Sequence, residues 1–271
     1  MYSSIRHSPN LFTMYSFSGI KKDLQDYWNT QGSIYDFGYE SEEECQYWQQ
    51  ILNELIGKKS QKILDVGTGT GLLARNLAFL GHDVTGLDFS MDMTDQARKK
   101  MERYDLSWNI VMGDAEHPDF LDNSFDVVIC RYLLWTLPHP DIAVSEWIRV
   151  LKPGGKIIII DGKRKRIGIK EPISSKINKF LWAFSRWICR GYTGIQGHNI
   201  ELEKNLPYFE GISAEEILGY FSSHGIMNCK TRDLTEVHNI IRRNLPWYLK
   251  FGYKSSGIVQ VVSGEKSLDD N

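Results

Sequence analysis

Residues 65–71 read Asp-Val-Gly-Thr-Gly-Thr-Gly and follow the apolar run Lys62-Ile63-Leu64, which sets three glycines at two-residue spacing. Such a turn lets the backbone approach a ligand closely, and the N-terminus of the following helix favours negative charge, so these loops usually hold phosphate. Here the Asp65 carboxylate stands at the mouth of the loop and would repel a phosphate. The spacing also departs from the dinucleotide fingerprint, because Leu72 stands where a third glycine is needed, and no Gly-Lys-Ser/Thr follows. The ligand is expected to be uncharged or cationic where it meets the loop, and nicotinamide and flavin dinucleotides are expected not to bind.

Three further positions carry polar or nucleophilic groups at comparable places. Asp88 closes Asp83–Asp88, Asp114 closes Asn109–Asp114 between Gly113 and Ala115, and Cys130-Arg131 closes a run that begins at Phe125. Each ends a short β-branched segment, as Asp65 does, and helical patterns lie between these segments. Alternation of this kind implies a parallel sheet. Its ligand belongs at the carboxyl ends of the strands, where the strand order reverses. A helix with Ser41 and Glu44 at capping-box spacing precedes the first strand and ends at Gly57; a second box, Ser213 with Glu216, opens a helix late in the chain. Further strands are expected at Lys156–Asp161, near 226–233 and near 257–262, giving seven. Asp161 and the Lys-Arg-Lys-Arg run at 163–166 read as solvated loop.

Asp88 lies 21 positions beyond Gly67, where a carboxylate grips the two hydroxyls of a ribose. Taken alone, it equally suits the start of a helix near Ser90. Asp114 could accept a hydrogen bond from an exocyclic amine such as that of adenine, and Asp65 then answers a cationic group. An adenosine without phosphate that carries an ammonium and a sulfonium is S-adenosylmethionine.

Together ILDVGTGTG, GLDFSMDM, GDAE, FDVVICRYLLWTLPHP and RVLKPGGKIII resemble the class I S-adenosylmethionine-dependent methyltransferases, in the branch of the ubiquinone and menaquinone biosynthesis enzymes, over roughly residues 61–161. The resemblance implies an α/β, Rossmann-like, doubly wound sheet of seven mostly parallel strands, the last antiparallel. It implies that Gly67, Thr68, Gly69 and Gly71 hold the methionine part and that Asp65 faces its amino group. Asp88 would take the ribose, Phe89 and Met93 would flank the adenine, and Gly113, Asp114 and Ala115 would line its edge, with Cys130 and Arg131 completing the site; S-adenosylhomocysteine would be the product. Residues 1–57 would form a lid and helix, with Tyr27, Trp28, Tyr35 and Asp36 closing over the cofactor. Residues 58–162 and 213–271 would be the cofactor domain, and the aromatic stretch 163–212 an inserted substrate cap offering Tyr192 and His198.

Methyl transfer from a sulfonium is an in-line displacement, so alignment and exclusion of water carry much of the catalysis. Many relatives in this branch bear histidines after the fourth strand, where this chain has Leu134-Trp135-Thr136. Trp135 suits a wall or a cation–π surface. The nearest histidine, His139, lies between Pro138 and Pro140. His139 and Trp135 are the candidate catalytic residues, and the expected acceptor is an amine or another group nucleophilic without a base, or one activated by a cap residue such as His198 or Tyr192.

The 271 residues suffice for one substantial domain. With 32 basic and 34 acidic residues, bulk charge gives no hold on nucleic acid, which weakens a tRNA-modifying reading. Four cysteines without a C-x-x-C pair suggest neither a metal site nor a disulfide framework and fit a reducing cytoplasm. No run approaches the ~18 apolar residues of a membrane span. Peripheral contact through INKFLWAFSRWICRGY keeps a lipid or quinone methyltransferase open as an alternative, and a non-catalytic S-adenosylmethionine-binding protein is the alternative of another class. The expected partner is a small molecule; the oligomeric state is not read from the sequence.

Overall fold

Short apolar runs separated by amphipathic helices build a seven-stranded sheet in the computed structural model, which describes residues 11–35, 40–163, 206–245 and 258–268. Three helices come first: α1 (Leu11–Trp28), α2 (Gly32–Tyr35) and α3 (Glu42–Ile56). Then β1 (Lys62–Val66), α4 (Leu72–Phe79), β2 (Asp83–Asp88), α5 (Met91–Tyr104), β3 (Asn109–Met112) and β4 (Phe125–Arg131) alternate, followed by a 3-10 turn at Leu134–Thr136. After α6 (Pro140–Val150) and β5 (Leu151–Asp161) come α7 (Ala214–Ser223), β6 (Met227–Asp233), α8 (Glu236–Asn244) and β7 (Gln260–Glu265).

The strand order is β3-β2-β1-β4-β5-β7-β6, parallel from β3 to β5, with β7 antiparallel to both of its neighbours. The chain winds outward from β1 to β3 and then returns to β4 on the other side of β1. The order therefore reverses between β1 and β4, which places a crevice beyond their carboxyl ends. The two strands register Ile63 with Val127 and Val66 with Cys130, so the glycine loop and the segment after Arg131 leave the sheet side by side. Helices cover both faces, which explains why Ile157–Ile160 are all fully buried and why this strand shows no apolar–polar alternation.

The helix starts follow from their caps. Ser213 and Glu216 form a reciprocal capping box on α7. At α3 the Ser41 hydroxyl accepts from the Glu44 amide, but the Glu44 carboxylate reaches one residue further back, to the Glu40 N–H at 2.8 Å. Two sequence expectations need correction. Asp161 is not a solvated loop residue: it ends β5, is 1% exposed and accepts from the Gly162 N–H at 2.8 Å. The last strand begins at Gln260 rather than near 257, because its register is set by pairing with β5, Asp161 against Gln260. Most of the expected cap, with Tyr192 and His198, lies outside the described residues, as do Asp36 and Arg164–Arg166. Among the described residues no helix is long and apolar enough to cross a membrane.

Candidate active site

The glycine loop turns on three left-handed residues, with φ of 66° at Gly67, 55° at Gly69 and 84° at Gly71. Packing accounts for two of them. A Cβ on Gly67 would lie 2.8 Å from the Leu133 side chain, and one on Gly71 would lie 3.0 Å from the Trp108 ring. Gly69 differs, since a Cβ there would meet nothing nearer than the Gly67 carbonyl at 3.9 Å. Open space thus lies beside the one glycine that no neighbour demands, as a loop that admits a ligand against its backbone requires.

Asp88 is held at the end of β2. Its Oδ2 accepts from the Gly69 N–H at 2.8 Å and its Oδ1 from the Ser90 N–H at 2.9 Å, so the acid locks the loop to the strand beside it. Burial raises the carboxyl above its ordinary value, against the lowering pull of the Ser90, Gly69 and Phe89 amides. A carboxylate has about four acceptor positions, which leaves capacity on both oxygens for hydroxyl donors such as a ribose pair. Ser90, not Asp88, caps α5, through its hydroxyl and the Met93 amide, and Met93 is buried in the first turn.

Asp65 has a different immediate task. Only 2% exposed, it accepts the Thr68 hydroxyl at 2.7 Å and so braces the loop from beneath. Burial pushes its carboxyl up to about 7, opposed by the hydrogen bond from Thr68 and the charge of Arg131. At the end of β4, burial and then the neighbouring charges of Asp161 and Asp65 hold the Cys130 thiol well above its ordinary value, so it stays protonated. The Arg131 guanidinium lies over the rings of Trp48, at 5.6 Å, and Tyr132, at 5.0 Å. Trp135 is buried in the 3-10 turn that follows.

The edge beyond β3 is occupied by a cation. Lys21 of α1 sets its ammonium 2.6 Å from Asp114 Oδ2 and 2.5 Å from Glu116 Oε2, while Asp114 Oδ1 accepts from the Glu116 amide. Glu116, fully buried, also takes the His139 backbone N–H at 2.5 Å and lies 3.1 Å from its Nδ1. Asp114, Glu116 and His117 bring three potential ligand atoms within 4.8 Å of one another, but the two carboxylates already share the Lys21 charge. His139 thus sits against Glu116, at the N-terminus of α6. Ala115 is fixed from behind, its carbonyl accepting from Trp147 Nε1 at 2.8 Å.

Sequence reasoning missed how α1 and α2 bind this face. Gln25 donates to the Phe89 carbonyl at 2.7 Å, Asn29 accepts from Ser90 and Met91, and the Gly32 N–H meets Asp92 at 2.6 Å. Gly32 has to be glycine, because a Cβ there would fall 2.6 Å from the Asp92 carbonyl. Tyr27 and Tyr35 both pack edge-on against Trp28, at 5.2 and 5.9 Å. The sequence-level signal was only the cluster of aromatics and Gly32 just after an amphipathic stretch.

Residues 64–159 match the model of a methyltransferase domain. The chain is 34% identical over 122 residues to the demethylmenaquinone methyltransferase of Renibacterium salmoninarum, covering 45% of this chain and 50% of that protein. It is also 34% identical over 133 residues to a phosphatidylethanolamine N-methyltransferase of Cereibacter sphaeroides, covering 48% and 63%. It thus spans only about half to two thirds of the length of these relatives. Phosphoethanolamine N-methyltransferase 2 of Haemonchus contortus, solved with phosphomonomethylethanolamine and S-adenosylhomocysteine, shares the fold at a TM-score of 0.59 and 20% identity, over 82% of this chain and 52% of that one.

Proposed function

We propose that the protein, whose residues 64–159 match a methyltransferase domain, transfers a methyl group from S-adenosylmethionine to an amine nitrogen of a small molecule. S-adenosylmethionine supplies an activated methyl group on a sulfonium. The observation that carries the reading is the Asp88 carboxylate, locked by Gly69 and Ser90 with acceptor capacity to spare beside an open Gly69. Gly67, Thr68, Gly69 and Gly71 hold the amino-acid end of the donor, and Asp114 with Gly113 and Ala115 lies at the adenine end. Buried Cys130 and Trp135 exclude water beyond β4.

An amine acceptor is supported by the absence of a histidine at Leu134–Thr136, by the engagement of His139 with the Glu116 carboxylate, and by relatives named for amine methylation. A carbon acceptor of the quinone type is the second reading, favoured by the demethylmenaquinone relative. Turnover of methyl-labelled donor with phosphoethanolamine, phosphatidylethanolamine vesicles and a demethylmenaquinone analogue tests both. Label on an amine is expected; label confined to the quinone ring would replace the first reading with the second. His139→Ala is expected to cost less than the factor of about 10² to 10⁴ that loss of a general base brings. A loss of about 10³ in turnover with donor affinity unchanged would make His139 the base.

The N-terminal 40 residues act as a lid in this reading, ahead of the core helix α3. Lys21, Gln25, Asn29 and Gly32 latch onto the elements that carry Asp88 and Asp114. Lids come from the least stable parts of a protein, so amide exchange over residues 20–35 is expected to slow when S-adenosylhomocysteine is added. Exchange that is slow beforehand and unchanged by ligand would make the segment structural.

A further inference from the structure

Glu40 is a non-glycine residue in the left-handed region, at φ 73°, and it precedes α3. Its carboxylate is 8% exposed and is shared by two cations, Arg75 Nη1 at 3.1 Å and the Lys100 ammonium. Neither cation is remote from the glycine loop. Lys100 also donates to the Thr70 hydroxyl at 3.1 Å, and Arg75 stands in the first turn of α4, where its own amide bonds to the Gly71 carbonyl at 2.9 Å. Arg75 further touches Cys45 Sγ and lies 4.6 Å from the centre of the Tyr104 ring. The strained backbone is itself restrained by the buried Glu44 carboxylate, which takes the Glu40 N–H. Strain of this kind persists only where its surroundings over-determine it, and burying charge is costly unless it is paired.

We propose that Glu40 is a positioning residue for the glycine loop: through Lys100 and Arg75 it ties the end of the N-terminal segment to Thr70 and to the first turn of α4. The shape of the loop and the seating of the segment that carries the lid are then set together. The consequence for cofactor affinity rests on the function proposed above; the consequence for the loop does not. Glu40 touches no reacting atom and works through its two cations.

The test begins in ligand-free protein. In Glu40→Gln, amide exchange at Gly69 and Gly71 is expected to speed up about tenfold, while exchange in β5 stays slow and so excludes global unfolding. Glu40→Gly separates strain from charge, because glycine adopts a positive φ without cost. Loop exchange is expected to be fast in this variant too, and formate, which carries the carboxylate that Glu40 supplies to Arg75 and Lys100, is expected to slow it again. Unchanged loop exchange in both variants, or recovery in Glu40→Gly without formate, overturns the proposal. With S-adenosylhomocysteine, calorimetry is expected to show affinity about tenfold weaker for Glu40→Gln, and kinetics to show a raised KM for the donor at nearly constant kcat. A wild-type protein that does not bind S-adenosylhomocysteine would unseat the function while leaving the loop result to stand.

Discussion

Asp88→Ala is expected to weaken S-adenosylhomocysteine binding by about 100-fold or more, from the loss of two hydrogen bonds to a charged acceptor at about 1.5 to 3 kcal/mol each. The same substitution removes the acceptor for the Gly69 and Ser90 amides, so part of the loss comes from a loosened loop. Asp88→Asn separates the two contributions. An amide keeps one acceptor oxygen and nearly the same shape, so it is expected to hold part of the loop and to recover part of the affinity. Calorimetric affinity within a factor of two of wild type in the Ala variant, with an intact fold, would remove Asp88 from the site.

Asp65 yields the second large effect, in the pH dependence of stability. Its carboxyl is pushed from 3.8 up to about 7 in the folded chain, chiefly by burial. The native state therefore holds a proton that the unfolded state gives up. Stability from this group is fully present below about pH 3.8 and is lost as pH rises towards 7, by about 4 kcal/mol in all at 1.36 kcal/mol per unit. Asp65→Asn is expected to flatten this slope, seen as a midpoint of urea unfolding that falls less between pH 5 and pH 8 than in wild type. It leaves the Thr68 hydroxyl an acceptor but removes the charge that would answer an ammonium. Binding of S-adenosylhomocysteine at about pH 6 is accordingly expected to release close to one proton from wild type and none from the variant, measured in two buffers of different ionisation enthalpy. Equal slopes in the two proteins would dismiss the shifted carboxyl.

The loop and the strand ends were legible in the sequence because local backbone demands write them directly. Positive φ asks for glycine at 67, 69 and 71, a cap asks for Ser41 and Ser213, and a strand covered on both faces asks for four isoleucines in a row. The number of strands and the parallel sense of β1 to β5 followed from such signals. What remained hidden is set by partners far apart in the chain. Lys21 meets Asp114 across 93 positions and Arg75 meets Glu40 across 35, and neither member of either pair looks unusual among its sequence neighbours. Asp161 was misread for the same reason. An acid followed by glycine resembles a turn until β7 is known to pair with it. Glu44 stood at capping-box spacing, yet its carboxylate bonds one residue further back than the motif implies, because Glu40 holds a strained amide there.

The position of β7 bears on how the protein is made. It lies between β5 and β6, so during synthesis the ribosome delivers, after the margin strand β6, a strand that belongs one place in from it. Until Gln260–Glu265 emerge, β5 has no neighbour on that side and its unpaired backbone amides and carbonyls face the cell beside a row of isoleucines. A nascent chain in that state offers an edge of the kind that recruits other strands. The exposure lasts for the time needed to translate about a hundred codons, at roughly 5 to 20 residues per second. Chaperone dependence should therefore be concentrated in that interval, and ribosome pausing within it should cost more yield than pausing anywhere earlier in the message.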